Sequence, residues 1–252
     1  MLLAAFVTPL LLPVIGWRGM FLVGVLPALV AFVVRRALDE PEIFVERHAT
    51  KKENSFRLLV KDGKIAKTTC GLVILSSGHC FAYYGIMMWM PSYLETSLGF
   101  SLTKSALWTA SIVAGMAVGI WTFGQLADRI GRKPVFIAFQ IGSAIMVYLY
   151  SRVTDPHTLL WMGAVMGLFV NGKIGGIGAL MSEAYPTAAR ATAQNVLFNL
   201  GRAVGGLGPL VVGAVAAAYS FNTAIALLAS IYVLEILATV FLIPELKGKE
   251  LE

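Results

Sequence analysis

Four ionisable side chains sit deep inside long apolar runs: His79, Lys173, Arg202 and Glu235. Such a group is costly in hydrocarbon and is a functional candidate by default. Counting at 1.5 Å per residue from the nearest polar end of each run, His79 lies about 18 Å from Lys67, Lys173 about 15 Å from Glu183, Arg202 about 18 Å from Arg190 and Glu235 about 14 Å from Pro244. All four therefore fall near the middle of a ~30 Å apolar layer. Lys173 stands in Phe169-Val170-Asn171-Gly172-Lys173-Ile174-Gly175-Gly176, where flanking glycines leave room and bare backbone for a ligand beside the Asn171 amide. A buried ammonium needs an anion. That anion is either a substrate or coupling group that comes and goes, or a fixed acid such as Glu235. An imidazole titrates near physiological pH, so His79 is either a proton carrier or a hydrogen-bonded packing residue. The Arg202 guanidinium is built either to grip a carboxylate with two parallel bonds or to tie helices together.

The elements that must position these groups are membrane spans. The chain is 58% hydrophobic and 13% charged, with mean hydropathy +0.77. A soluble domain has roughly 45 to 50% apolar and 25% charged residues. The net charge of +6 does not point to nucleic acid, because the bases sit between apolar runs and form no patch interleaved with aromatics. Cys70 and Cys80 lie about 15 Å apart along one predicted helix, too far for a disulfide.

Taken in order, residues 1–36 read as two helices. Met1 to Ile15 would cover only about 22 Å, so the chain is expected to open inside a span, with further helices upstream. No signal peptide is expected, since a basic n-region and a small-x-small cleavage site are both lacking. Gly16-Trp17-Arg18-Gly19 is predicted as a loop, and a span from about Met20 to Val34 ends at Arg35 and Arg36. Residues 37–67 form a polar linker rich in both charges. Six apolar runs follow over 68–243: Thr68 to Tyr93, Ser105 to Phe123, Pro134 to Tyr150, Thr158 to Met181, Thr192 to Tyr219 and Phe221 to Ile243. Residues 244–252 are a short tail. If all six runs cross, the linker, the 124–134 loop, Arg190 and the tail share one side, which the positive-inside rule makes cytoplasmic. Trp89 and Tyr93 suit the outer interface. Gly201, Gly205, Gly206, Gly208 and Gly213 stack small residues along one run, as close helix packing requires.

Three motifs carry a family resemblance. Gly124-Gln125-Leu126-Ala127-Asp128-Arg129-Ile130-Gly131-Arg132-Lys133-Pro134 resembles the loop signature of the major facilitator superfamily between the second and third helices of a six-helix half. Glu183-Ala184-Tyr185-Pro186-Thr187-Ala188-Ala189-Arg190 is similar to the E-x-(Y/F)-P-T-x-x-R signature of sugar porters and organic-acid symporters, and Pro244-Glu245-Leu246-Lys247-Gly248 to their P-E-T-K-G tail. The paired glutamines that sugar porters use on hexose hydroxyls are missing from the run with Ser77-Gly78 and Tyr83-Tyr84, so metabolite or organic-acid:proton symporters are the nearer match.

The resemblance implies an all-α membrane protein of the major facilitator fold, holding the C-terminal six-helix half plus the last two helices of the N-terminal half. In such proteins the first and fourth helices of each half line a central cavity, which gives His79 and Lys173 to the cavity, lets Arg202 reach it and leaves Glu235 outermost. Asp128, Arg129, Arg132, Glu183 and Arg190 would form a cytoplasmic gate of ion pairs, against the plainer reading of topology signals. The expected function is secondary active transport of a small organic anion with protons, by alternating access, in a multi-pass protein of the cell inner or plasma membrane. Its partners are the lipid bilayer, a small-molecule substrate with protons, and the N-terminal half that transport needs. Alternatives are a truncated remnant that does not transport, or a sugar or aromatic-acid transporter of the same superfamily. No paired carboxylates, metal-ligand cluster, nucleophile triad or phosphate-cradling loop appears, so no enzyme, cofactor, metal or nucleic-acid role is expected.

Overall fold

Backbone amides in hydrocarbon find no water, so a spanning segment must satisfy them within itself, which a helix does. The computed structural model describes residues 2–37, 55–96, 99, 102–153 and 155–247, and its elements are all helical. Most of the polar linker, with the Pro41 to Phe44 stretch, lies outside the described residues, as do Ser97 and the end of the tail from Gly248. The chain divides into two units, Met1–Lys52 and Glu53–Glu252.

In the first unit, α1 (Leu2–Val23) and α2 (Leu26–Ala37) are separated by a turn at Gly24 and Val25. The loop predicted at 16–19 is instead a kink inside α1, made at Gly16 with φ 64. Only glycine takes that backbone conformation without a Cβ penalty, so one residue redirects the chain and helix resumes at once. Val14–Arg36 is long and apolar enough to cross a membrane.

The second unit holds a one-turn helix, α3 (Ser55–Leu58), and six further candidate spans. These are α4 (Gly63–Thr96), α5 (Leu102–Ile130), α6 (Arg132–Tyr150), a fourth built from α7 (Pro156–Met166) and α8 (Ile174–Ala184), a fifth from α9 (Thr187–Gly205) and α10 (Gly208–Ala218), and α11 (Phe221–Leu242). Helix starts are capped where the sequence supplies an oxygen. Asp62 accepts the backbone N–H of Lys64 and Ile65 at 2.9 and 2.8 Å, and Asp155 accepts that of Thr158 at 2.8 Å. The Thr158 hydroxyl and amide together hold the Asp155 carboxyl below the usual carboxylate range.

The polar stretch at 124–134, predicted as a loop, is helical up to Ile130 and again from Arg132, with Gly131 alone (φ 116) making the turn. A helix need not stop where its apolarity stops, because its backbone bonds are internal. The helix ends nominated as cytoplasmic converge by direct contact. Ser55 Oγ donates to the Ala188 carbonyl at 2.9 Å, and the Thr69 hydroxyl donates to the Leu59 carbonyl and lies 2.6 Å from that of Tyr185. One apolar core cluster, around Leu72, Phe123, Phe136 and Tyr185, lies toward this end, and a second, around Met90, Trp108, Tyr150 and Ile225, lies toward the other.

Glycines set the helix spacing. A Cβ on Gly201 would stand 2.5 Å from Ser76 Cβ and one on Gly205 2.4 Å from Cys80 Cβ, so α9 rides directly on α4. Gly115 faces the Ala164 carbonyl so closely that a Cβ would fall 1.8 Å from it, which seats α5 against α7. Gly206, by contrast, is exposed.

Candidate functional site

The fourth span is interrupted where its polar residues lie. α7 passes into a π-helical turn, Gly167–Asn171, and α8 begins only after Gly172 and Lys173. The turn is pressed against α5: a Cβ on Gly167 would stand 2.2 Å from the Ile112 carbonyl, and one on Gly172 would stand 2.7 Å from the Gly119 backbone. A π turn inserts one residue into the α-helical repeat, and such turns cluster at functional sites. It rotates everything downstream by about 100°, one residue's share of a 3.6-residue turn.

That rotation decides what Lys173 meets. Its ammonium donates to Glu235 Oε2 on α11, both side chains are 0% exposed, and the Tyr232 ring lies 4.5 Å from Nζ. Lys173 thus has the fixed acid as its partner, and Glu235, placed outermost by the family pattern, is enclosed by the bundle. On its other side the Glu235 carboxylate rests on α4, where a Cβ on Gly78 would stand 2.8 Å from Oε1. From α6, Gln140 Nε2 donates to Thr239 Oγ1 at 2.8 Å. Glu235 Oε1, Gln140 Oε1, the Tyr232 hydroxyl and Ser76 Oγ are buried without hydrogen-bond partners.

His79 is 2% exposed, stacks on Tyr83 with ring centroids 6.2 Å apart, and lies within electrostatic range of Lys173. Its Nδ1 also lacks a partner. Asn171 is 4% exposed with its Oδ1 unpartnered, and it lines a shallow groove, with a volume of about 10 Å³, together with Tyr83, Met87, Ile112, Met166 and Val170. His79, Asn171 and Lys173 are therefore drawn to one level of the bundle. Arg202 is exposed on α9 and joins none of these bonds; its charge reaches Cys80, as do those of Lys173 and Glu235.

A second polar cluster stands at the end where α5, α6, α8 and α11 meet. Arg132 bonds Asp128 at 2.7 Å within its own turn of chain and Glu183 on α8 through both Nε and Nη2, at 3.1 and 3.0 Å. Sequence reasoning gave Glu245 no role here, yet its carboxylate accepts the first two backbone N–H groups of α6, from Arg132 and Lys133, each at 3.1 Å. Lys133 Nζ donates to the Val240 carbonyl at 2.7 Å and Lys247 Nζ to that of Arg129 at 2.5 Å. The Arg129 side chain is exposed, and Arg190 Nε donates to the Ser182 carbonyl at 2.7 Å across the α8–α9 turn. The signal that could have found Glu245 was its position in a tail motif, paired with the glycine at 131 that lets its carboxylate approach.

Chemically, the cluster sets an ammonium against a carboxylate within electrostatic range of an imidazole, and the groove beside it presents an apolar wall with one amide and one phenol. Among the described residues, no three His, Cys, Asp or Glu side chains gather as metal ligands.

A sequence model described as Major Facilitator Superfamily matches residues 1–123 and 107–251. A Haemophilus influenzae protein named for metabolite transport is 62% identical over 257 residues, covering 99% of this chain and 63% of that protein. The cis,cis-muconate transport protein of Acinetobacter baylyi is 29% identical over 88% of this chain and 55% of its own length. A niacin/nicotinamide transporter of Bacillus subtilis is 28% identical over 100% of this chain and 63% of its own. The chain thus spans 55 to 63% of these curated relatives. The crystal structure of the nucleoside transporter NupG superposes with TM-score 0.55 at 17% identity, over 71% of this chain and 45% of that one.

Proposed function

Because the chain belongs to the major facilitator superfamily, we propose that it forms part of a secondary transporter that moves a small organic anion with protons by alternating access. The observation that supports this most is the groove at mid-depth, where an unpartnered Asn171 oxygen and Tyr83 interrupt an apolar wall of Met87, Ile112, Met166 and Val170. Such a surface fits a flat, unsaturated skeleton better than a sugar, whose many hydroxyls would need more polar partners than one amide and one phenol. Relatives named for muconate and niacin transport carry compact, unsaturated acids of that kind. Lys173 is engaged by Glu235, so Arg202, exposed at the same depth, is the cation that would meet the substrate carboxylate. Arg132, bridging Asp128 and Glu183, would hold the cytoplasmic end closed until transport breaks the bridge. A protein of the relatives' length would add the other wall of the transport cavity to the 37–67 linker, the six-helix bundle and the tail, since one half supplies only one wall.

The test is uptake of labelled muconate, nicotinate and a hexose into vesicles holding the chain completed with the remaining residues of the Haemophilus influenzae relative. Uptake of one or both acids, stimulated by an inward proton gradient, is expected, with at least a tenfold loss of affinity in Arg202→Gln, as follows from removing a charged hydrogen bond worth about 1.5 to 3 kcal/mol. Hexose uptake alone would overturn the anion reading, and uptake indifferent to the gradient would remove the protons.

A further inference from the structure

The Lys173–Glu235 pair cancels its own charge but leaves buried polar atoms around it without hydrogen-bond partners. Glu235 Oε1, Gln140 Oε1 and Asn171 Oδ1 are acceptors to which nothing donates, and His79 Nδ1 and the Tyr232 hydroxyl beside them are also unpartnered. A permanent structural bridge would be expected to satisfy both carboxylate oxygens, because an unmet buried acceptor is costly. Here the second oxygen has no hydrogen-bond partner and packs on bare backbone: a Cβ on Gly78 would stand 2.8 Å from Oε1 and 2.7 Å from Glu235 Cγ, so only a glycine lets the carboxyl lie against α4 at this point. Lys173, in turn, has a second partner that does not depend on the carboxylate's charge, the face of Tyr232.

We infer that Glu235 is a proton-binding site, loading one proton at Oε1 while Lys173 stays an ammonium against the Tyr232 ring. The inference deepens the transport reading above, and rests on it for its purpose. The proton would arrive from solvent as hydronium by way of the groove, where Tyr83 lines the wall and His79, stacked on Tyr83, lies within electrostatic range of Lys173. One O–H bond of a hydronium ion breaks and leaves water, one O–H bond forms at Oε1, and the site passes from net zero to one positive charge. An anion entering the neighbouring groove offsets that charge, so proton and anion each favour the other's binding. The charged and titratable groups facing the carboxylate are His79 and Cys80 from α4, Lys173 from the fourth span and Tyr232 from its own helix. α6 brings the neutral Gln140, whose amide approaches the carboxylate while Nε2 bonds Thr239, α10 has no titratable side chain, and the charge of Arg202 on α9 reaches Cys80.

Infrared difference spectra of the chain in lipid vesicles, taken from about pH 8 to about pH 5, read the carboxyl directly. A carbonyl band of a protonated, exchange-resistant carboxyl is expected to grow on acidification in the wild type and to be absent in Glu235→Gln. Labelling glutamate with ¹³C shifts that band in the wild type, which assigns it even if the variant does not fold, and slow hydrogen exchange separates it from the exposed glutamates. Tyr232→Phe keeps the ring and should keep the band. No such band, or the same band in a folded Glu235→Gln, overturns the inference. Growth of the band in a protein that takes up none of the acids leaves the proton site standing and removes the transport reading; proton-driven uptake without the band does the reverse.

Discussion

Lys173 shows how much a sequence says about one residue. Depth is a matter of counting, so the shared level of Lys173, His79 and Glu235 along their helices was legible from 1.5 Å per residue. Direction was not, because which way a side chain points depends on helix rotation, and the π turn at Gly167–Asn171 changes that rotation by a residue just upstream. Two readings of the Lys173 anion were open, and the structure supplies Glu235. Lys173→Met keeps length and apolarity but strands a carboxylate among Gly78, Gln140 and Tyr232. It should lower stability by about 3 to 5 kcal/mol, the usual result of breaking one side of a buried pair. Adding Glu235→Gln to the same protein should recover most of that loss, since a neutral amide no longer needs a cation. Thermal melting of the two variants in detergent checks both; a single variant as stable as wild type would mean that Glu235 is already neutral or has another partner.

At the scale of elements, glycines told more about closeness than about partners. Their stacking along the fifth span predicted packing, and Gly201, Gly205 and Gly208 do meet α4 at the backbone. The seam between α5 and the fourth span, through Gly115, Gly119, Gly167 and Gly172, was not legible, because its glycines are divided between two distant stretches of chain. Gly115→Val would drive a side chain into the Ala164 carbonyl and should force α5 away from α7, with a loss of several kcal/mol or failure to fold. Gly178→Ala has open space within 4 Å and should instead stabilise by about 0.5 to 1 kcal/mol, as alanine does over glycine inside a helix. Comparing the melting of these two variants separates backbone contact from composition. The start of α6 gives a third prediction at this scale. Glu245 caps it from 113 and 112 residues away through the N–H groups of Arg132 and Lys133. Glu245→Ala should cost about 0.5 to 2 kcal/mol, as lost helix caps do, and should speed hydrogen exchange at those two amides before any elsewhere.

For the whole molecule, six spans after the linker were legible because each apolar run is long enough to cross and each is bounded by charge. Boundaries were less so: α4 begins at Gly63 and α5 runs on to Ile130, because charged turns of helix protrude from hydrocarbon without unwinding. The side of each end follows from contact as well as from counting. Arg132 meets Glu183, Lys133 and Arg132 meet Glu245, and Ser55 meets Ala188, so the ends near 55–63, 130–132, 184–187 and 242–247 lie together. They carry Arg57, Lys61, Lys64, Lys67, Arg129, Lys133 and Lys247, all exposed or part-exposed, while the opposite ends show Glu95, Arg152 and Asp155. Moving so many cations across a bilayer is expensive, so the positive-inside rule predicts that the basic end is the cytoplasmic one. In a background with Cys70→Ser and Cys80→Ala, a cysteine placed at Lys64 should resist an impermeant thiol reagent in intact cells and react once they are opened. A cysteine at Tyr219, 80% exposed between α10 and α11, should react in both. Because helices between the two positions fix them on opposite faces, equal labelling of both in intact cells would mean that one of the intervening spans does not cross. Reversed labelling would invert the whole bundle and place the Arg132 cluster outside.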